Sequence, residues 1–295
     1  MAPNKIFIVG GTGDVGSQTV KFLLAKGALL TLFARSAEKV AKLFGAHHPQ
    51  ISVVEGDYAD LTPLQNAMVG HQRLFLLAAI TVTFDFAKIK QAIAQAAYDQ
   101  GVEQIVDLSS MAAGWRWRAF FSADDHWRAE NAMLTIPGRK RLVIIRPGRF
   151  MSTLVQFDAP AIRLHNALQG TDAPQDKSPW ISSKDIAELA SVVLTEDPAK
   201  HGDMVYEMVG DLLTYEETAQ VFTRVLGRPI TYQVIDPVAR YKLFTEKIGL
   251  PHSLAYNLAA LDLTVLPETR GLPILLGRSP ESLEAYLTEH KHAFK

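Results

Sequence analysis

Residues 4–27 read NKIFIVGGTGDVGSQTVKFLLAKG: a short apolar run, a glycine cluster and an amphipathic stretch. A strand from Lys5 to Val9 hands over to a helix beginning near Asp14, and Gly10, Gly13 and Gly16 occupy the turn in the order G-x-x-G-x-x-G, with Gly11 as a further glycine. A strand-to-helix turn aims unpaired backbone N–H groups and the positive helix end at an anion, and glycine lets a pyrophosphate come close to the backbone. The loop formed by Gly10, Thr12, Gly13, Asp14, Val15 and Gly16 is therefore expected to hold a dinucleotide.

The same alternation continues outward. Strands are expected at 29–33, 51–54, 73–77, 104–108 and 141–145, and helices at 37–44, 61–68, 84–99 and 123–134. Repeated β-α units imply right-handed crossovers and a parallel sheet covered on both faces, and runs such as LFLLAA and LVIIRPG have the continuous apolar character of strands so buried. The expected fold is α/β, a Rossmann-type doubly wound parallel sheet with a smaller, mostly helical C-terminal substrate lobe. After RPGRFM the texture changes to a helix-like piece and a polar loop, QGTDAPQDKSP. WISSKDIAELASVVL then returns to the sheet, with Ser182 or Ser183 capping a helix, and a strand is expected near 204–208. The expected division is a dinucleotide-binding domain over 1–155, rejoined by 181–210, and a substrate lobe made of 156–180 and 211–295, with one short strand at 230–234.

Composition narrows the partners. The 295 residues are 48% hydrophobic and 21% charged, which supports a sizeable core and argues against general disorder. A formal net charge of −1 removes any broad electrostatic reason to bind nucleic acid or an anionic membrane. Cysteine is absent, so disulfides, thiolate nucleophiles and cysteine zinc sites are excluded. No apolar run approaches a membrane span and no signal-like segment precedes the first strand, from which a cytoplasmic location is expected. His47, His48, His290 and His292 lack carboxylate companions at ligand spacing, so no metal is expected.

The ends of the later strands bear on the nucleotide. Discrimination between the two nicotinamide cofactors is usually made after the second strand, where an acid accepts the ribose hydroxyls or a base takes the 2′-phosphate. Here LFARSAEK presents Arg35, with Ser36 and Lys39 near it and no carboxylate before Glu38, so NADP(H) is the expected cofactor. VVEGDYAD places Asp57 and Tyr58 after the third strand, where a carboxylate can take the adenine amino group. Asp57 can equally cap a turn. Ala78 and Ala79, followed by Ile80, stand after the fourth strand, where small residues let the backbone lie against ribose.

Taken together, GGTGDVG, EGDYAD, VDLSS, HWRAENAML, IIRPGRFM, WISSKDIAELA and LTYEETAQVFTRVLGRPITY resemble the NmrA-like group of atypical short-chain dehydrogenase/reductases, over nearly the whole chain. The resemblance implies an NADP(H)-type Rossmann domain with a C-terminal substrate lobe. It also implies either a reductase of quinones, isoflavones or benzylic ethers, or a catalytically silent sensor of the cofactor's redox state. The general short-chain family uses a Tyr-x-x-x-Lys pair on the helix after the fifth strand and a serine at that strand's end. This chain keeps the strand end, with Ser109 and Ser110, and departs at the pair: counted back from Glu130, the lysine position holds His126 and the tyrosine position Ser122. The quinone-reductase branch that it resembles also carries histidine at the lysine position and lacks the tyrosine.

Ser109 and His126 are accordingly the candidate catalytic residues, and His126 is also a candidate for the nicotinamide ribose, beside Pro147 at the end of the sixth strand. With a reference pKa of about 6.5, His126 could deliver a proton near neutral pH. Asp124 and Asp125 read as acids of the helix start. A substrate pocket is expected from Trp115, Trp117 and Phe120 in GWRWRAFF, with Phe150 and Met151. These aromatics could stack on a flat acceptor or form a lid or partner surface. The leading expectation is NADPH-dependent hydride transfer to a small-molecule acceptor, a quinone or other conjugated compound. The alternative is an NADP(H) sensor that acts on a protein partner.

Overall fold

Lys5–Val9 forms β1, with Ile6, Phe7 and Ile8 wholly buried, and the rest of the sheet is laid down on both sides of it. The structure is a computed structural model, and it describes residues 5–79, 84–114, 121–260 and 271–295. In chain order β1 is followed by α1 (Asp14–Ala25), β2 (Leu29–Ala34), α2 (Ala37–Phe44), β3 (Ile51–Glu55), α3 (Thr62–Ala67) and β4 (Arg73–Leu76). Then come α4 (Phe86–Asp99), β5 (Gln104–Leu108), α5 (Phe121–Leu134) and β6 (Arg141–Pro147).

The seven-stranded sheet runs Val205–Met208, β6, β5, β4, β1, β2, β3. From β1 to β6 its neighbours pair in parallel, with Phe7 opposite Thr31 on one side and Leu74 on the other. The chain thus builds outward from β1 to β3, crosses back over β1 to β4, and builds outward again. The reversal lies between β1 and β4, where open α/β sheets receive ligands outside the carboxyl ends of the strands. One core cluster gathers Phe7, Val9, Leu74, Leu76 and Ile105 from the sheet with Leu64, Met68, Ile93, Ala97 and Met133 from the helices.

The chain divides into two compact units. The first comprises Met1–Pro147 and Ile186–Glu207, and the second Gly148–Asp185 and Met208–Lys295. Within the second, Arg149–Phe150, Lys177–Ile181 and Asp211–Thr214 form a three-stranded sheet, and Ala167–Gly170 pairs in parallel with Thr231–Val234. Trp180, Phe222, Leu283 and Phe294 are central to its core. A capping box between Thr214 and Glu217 starts its helix Tyr215–Leu226.

The second unit contains strands that the sequence does not announce, Arg149–Phe150 and Asp211–Thr214 among them. Residues 167–179 are expected as the end of a helix and a polar loop, whereas the structure has strands Ala167–Gly170 and Lys177–Ile181 there. Gly170, Pro174 and Pro179 carry the signature of a loop, whereas the side chains of Ser178, Trp180 and Ile181 are fully buried and pay for strand pairing through packing. Among the described residues no helix is long and apolar enough to cross a membrane, and no group of histidine, cysteine, aspartate and glutamate could hold a metal ion.

Candidate cofactor and reaction site

Three glycines of the first loop are glycine for different reasons. Gly10 has φ +85°, and a Cβ there would stand 2.2 Å from the Leu77 carbonyl oxygen at the end of β4. A Cβ on Gly16 would stand 2.0 Å from the Gly10 carbonyl oxygen. Both are required by the packing of β1, β4 and α1 alone. Gly13 is not: its φ is −87°, and the nearest atom to an added Cβ is 3.9 Å away. It is the N-cap of α1 and offers the helix no side-chain acceptor. A residue whose Cβ would meet the protein only in ordinary van der Waals contact, at a helix N-terminus, leaves room for an anion against the backbone, and the loop fits a pyrophosphate on this ground. Thr12 is half-buried, and Val15 packs in the core, so its backbone alone can serve a ligand. Asp14 turns its carboxylate to Gln18, whose Nε2 donates to Oδ1 at 3.1 Å.

At the end of β2, Arg35 is exposed and Ser36 caps α2, its Oγ accepting the Lys39 N–H at 3.1 Å. Lys39 is exposed on the first turn of α2. Glu55, which sequence reasoning passed over, closes this corner: its Oε1 accepts the Ala37 N–H at 2.7 Å. The pairing of Ala34 with Glu55 brings the carboxylate to α2, and that register has no signature along the sequence. Asp57 is exposed, and its Oδ1 accepts the Ala59 N–H at 2.8 Å, a turn-capping bond. Tyr58 lies against the core, its ring edge-on to Phe84 at 6.4 Å. Burial raises the Tyr58 pKa, opposed by the charge of Arg35 and a hydrogen bond with the Ala79 backbone. Arg35, Tyr58 and Ala79 are thereby brought together, with Ala78 buried beside them.

The third cluster stands where β5 and β6 end. Ser109 Oγ donates to Glu130 Oε1 at 2.5 Å and lies 3.4 Å from His126 Nδ1. Arg146 donates to Glu130 through Nε at 3.0 Å and through Nη2 at 2.5 Å. The His126 ring packs edge-on against Phe86 at 5.1 Å. Behind Phe86, Lys90 meets Asp107 at 2.7 Å, donates to the Leu108 carbonyl oxygen at 2.8 Å and lies over the Phe86 ring. Burial first, and then the charge of Lys90, push the His126 pKa down to about 3. Burial raises the Asp107 pKa against the pull of Lys90.

This corrects the expectation of a histidine that delivers a proton near neutrality. The imidazole is neutral there because its charged form is desolvated and faces a buried ammonium. Ser122 is half-buried in α5, and Pro147 is buried at the end of β6. Sequence reasoning missed Lys90, Asp107 and Arg146. The signals were a lysine on the apolar stripe of Phe86, Ile93, Ala94 and Ala97, and charges set in the apolar strands QIVDL and LVIIRP.

Trp115, Trp117 and Phe120, with Ile80, lie outside the described residues. Phe150 is half-buried in the second unit, paired with Ile181. Met151, expected in a substrate pocket, is instead wholly buried among Leu154, Ile162 and Trp180 in that unit's core.

Comparisons with known proteins cover nearly the whole chain. The sequence model of the NmrA-like family matches residues 2–263. An NAD(P)H azoreductase of Xenophilus azovorans is 26% identical over 297 residues, covering 98% of this chain and 99% of that protein. Quinone oxidoreductase 2 of Escherichia coli is 28% identical over 260 residues, covering 87% of this chain and 86% of that protein. The crystal structure of the Escherichia coli NADPH-dependent quinone oxidoreductase complexed with NADPH superposes with a TM-score of 0.84 at 26% identity, covering 97% of this chain and 99% of that one.

Proposed function

We propose that this chain, which belongs to the NmrA-like family, is an NADPH-dependent oxidoreductase that reduces a quinone or another conjugated small molecule. The observation that carries the reading is Gly13: a glycine that no contact within the protein requires, at the N-terminus of α1 and at the sheet's switch point. The names of the azoreductase and the quinone oxidoreductase support it.

In this reading Gly10, Thr12, Gly13, Asp14, Val15 and Gly16 hold the pyrophosphate through their backbone. Arg35, with Ser36 and Lys39, takes the 2′-phosphate, and Asp57, Tyr58, Ala78 and Ala79 border the adenosine. Ser109, His126 and Pro147 border the nicotinamide ribose. NADPH, when bound, supplies the hydride. The substrate lobe is assigned to the second unit.

The chain's own residues narrow the acceptor. His126 is held neutral, and Ser122 stands where the general family has its tyrosine acid, so neither of these two positions supplies a proton near neutrality. A reduced quinone leaves as a phenol-like anion, whose conjugate acid has a pKa of about 10 like that of tyrosine and which water protonates readily. An unactivated ketone would give a far more basic alkoxide and would need the missing acid.

The test is nicotinamide oxidation with NADPH and NADH in parallel against quinones, enones, azo dyes and simple ketones, after binding of NADPH has been established. Turnover with the conjugated acceptors and none with simple ketones is expected. Tight NADPH binding with no turnover across the panel would overturn the enzyme reading in favour of a cofactor sensor with a protein partner.

A further inference from the structure

The polar string beside His126 has a direction. Arg146 carries donors only and engages Glu130 at both carboxylate oxygens, Nε to Oε1 at 3.0 Å and Nη2 to Oε2 at 2.5 Å. A carboxylate so paired accepts and does not donate, so the bond of 2.5 Å between Ser109 Oγ and Glu130 Oε1 uses the single hydroxyl hydrogen of Ser109. Toward any other neighbour Ser109 can then only accept. Its remaining contact is His126 Nδ1 at 3.4 Å, which therefore runs from an Nδ1–H to the serine oxygen. The hydrogen bonded by one imidazole nitrogen settles the role of the other.

We propose that Arg146, Glu130 and Ser109 are positioning residues that fix His126 with its hydrogen on Nδ1, leaving Nε2 as a bare acceptor for a ligand hydroxyl. On the oxidoreductase reading, on which only this last identification rests, the hydroxyl belongs to the nicotinamide ribose. No described residue makes a hydrogen bond to Nε2, and the edge contact with Phe86 holds the plane of the ring. An unconstrained neutral imidazole in water favours Nε2–H, so the string works against the intrinsic preference. It also gives this site a chemistry different from that of a lysine in the same position. Lysine can only donate to ribose, whereas this histidine accepts from it and has no proton at Nε2 to pass on. The proton that completes a reduction then comes from solvent, which restricts the acceptors to those whose reduced anion is weakly basic.

The tautomer can be read without turnover, in protein labelled with nitrogen-15 at histidine, at neutral pH and without cofactor. His126→Gln identifies the His126 signals. The expected result is a hydrogen on Nδ1 and a bare Nε2 in the wild type, a shift toward Nε2–H in Ser109→Ala, and retention of the wild-type state in Ser109→Thr, which keeps the hydroxyl. The NADPH dissociation constant should rise about three- to tenfold in Ser109→Ala, the worth of one neutral hydrogen bond, and little in Ser109→Thr. A wild type with its hydrogen on Nε2, or a tautomer indifferent to Ser109→Ala, would overturn the proposal. The expected tautomer in a protein that does not bind NADPH would uphold the string and overturn the ribose as its ligand.

Discussion

Lys90 and Asp107 form an ion pair of 2.7 Å in which neither side chain has any exposed surface. Removing one partner strands the other as an uncompensated charge, whereas replacing both with apolar residues does not. Lys90→Met or Asp107→Leu alone should cost about 3–5 kcal/mol in urea unfolding, and the double variant should recover most of that loss. A double variant that loses the sum of the two single losses would show that the two side chains act independently.

Gly13 and Gly16 separate binding from folding. A Cβ at Gly16 would stand 2.0 Å from the Gly10 carbonyl oxygen, so Gly16→Ala should lower the Tm or prevent folding. At Gly13 the nearest atom is 3.9 Å away and φ is −87°, so Gly13→Ala should fold with an unchanged Tm and lose NADPH affinity at least tenfold by fluorescence titration. Unchanged affinity in a folded Gly13→Ala protein would remove the loop from the cofactor site.

Arg35 and Glu55 carry opposite charges on neighbouring strand ends, since Ala34, which precedes Arg35, pairs with Glu55. Arg35→Ala should weaken NADPH by about ten- to a hundredfold, the range of a hydrogen bond to a charged group, and leave NADH nearly unaffected. Glu55 accepts the Ala37 N–H at 2.7 Å and brings a negative charge to the helix end beside Arg35. Glu55→Gln should therefore shift the preference further toward NADPH. Equal effects of Arg35→Ala on the two cofactors would contradict a phosphate role for that residue.

The neutrality of His126 has a consequence for stability. Its pKa is near 6.5 in the unfolded chain and about 3 in the folded one, so between these values the unfolded state holds the extra proton. Its contribution is absent above about pH 6.5 and grows against folding as the pH falls, by at most about 1.4 kcal/mol per pH unit. Relative to the wild type, His126→Gln should become progressively more stable from pH 6.5 down to pH 4.5 in urea unfolding. Parallel stability curves would contradict a desolvated, neutral imidazole.

These relationships differ in how far they could be read along the chain. The β1 strand, glycine turn and α1 helix were legible because strand length, glycine spacing and helical period coincide within residues 4–27. α2 was read to its ends because Ser36 caps one and Gly45, with φ +98°, closes the other. Strand Lys177–Ile181 was hidden because Pro179 imitates a loop, and Arg149–Phe150 is too short to show a period. In the site, residues at strand ends could be placed because strand order brings those ends together. Glu55 and Arg146 could not be assigned partners, since their bonds depend on register and rotamer between segments far apart in sequence. The low pKa of His126 was equally out of reach, because it is a property of what encloses the ring.

On the proposed function, NADPH bound by this chain gives up its hydride to a conjugated acceptor. The most direct test is a rapid-mixing experiment in which protein loaded with stoichiometric NADPH meets benzoquinone, with nicotinamide absorbance followed against a protein-free control. The account predicts a decay well above the control rate, slowed by deuterium at the transferable position of NADPH and reduced to the control by Gly13→Ala. Decay at the control rate, in protein shown to hold NADPH, would contradict it.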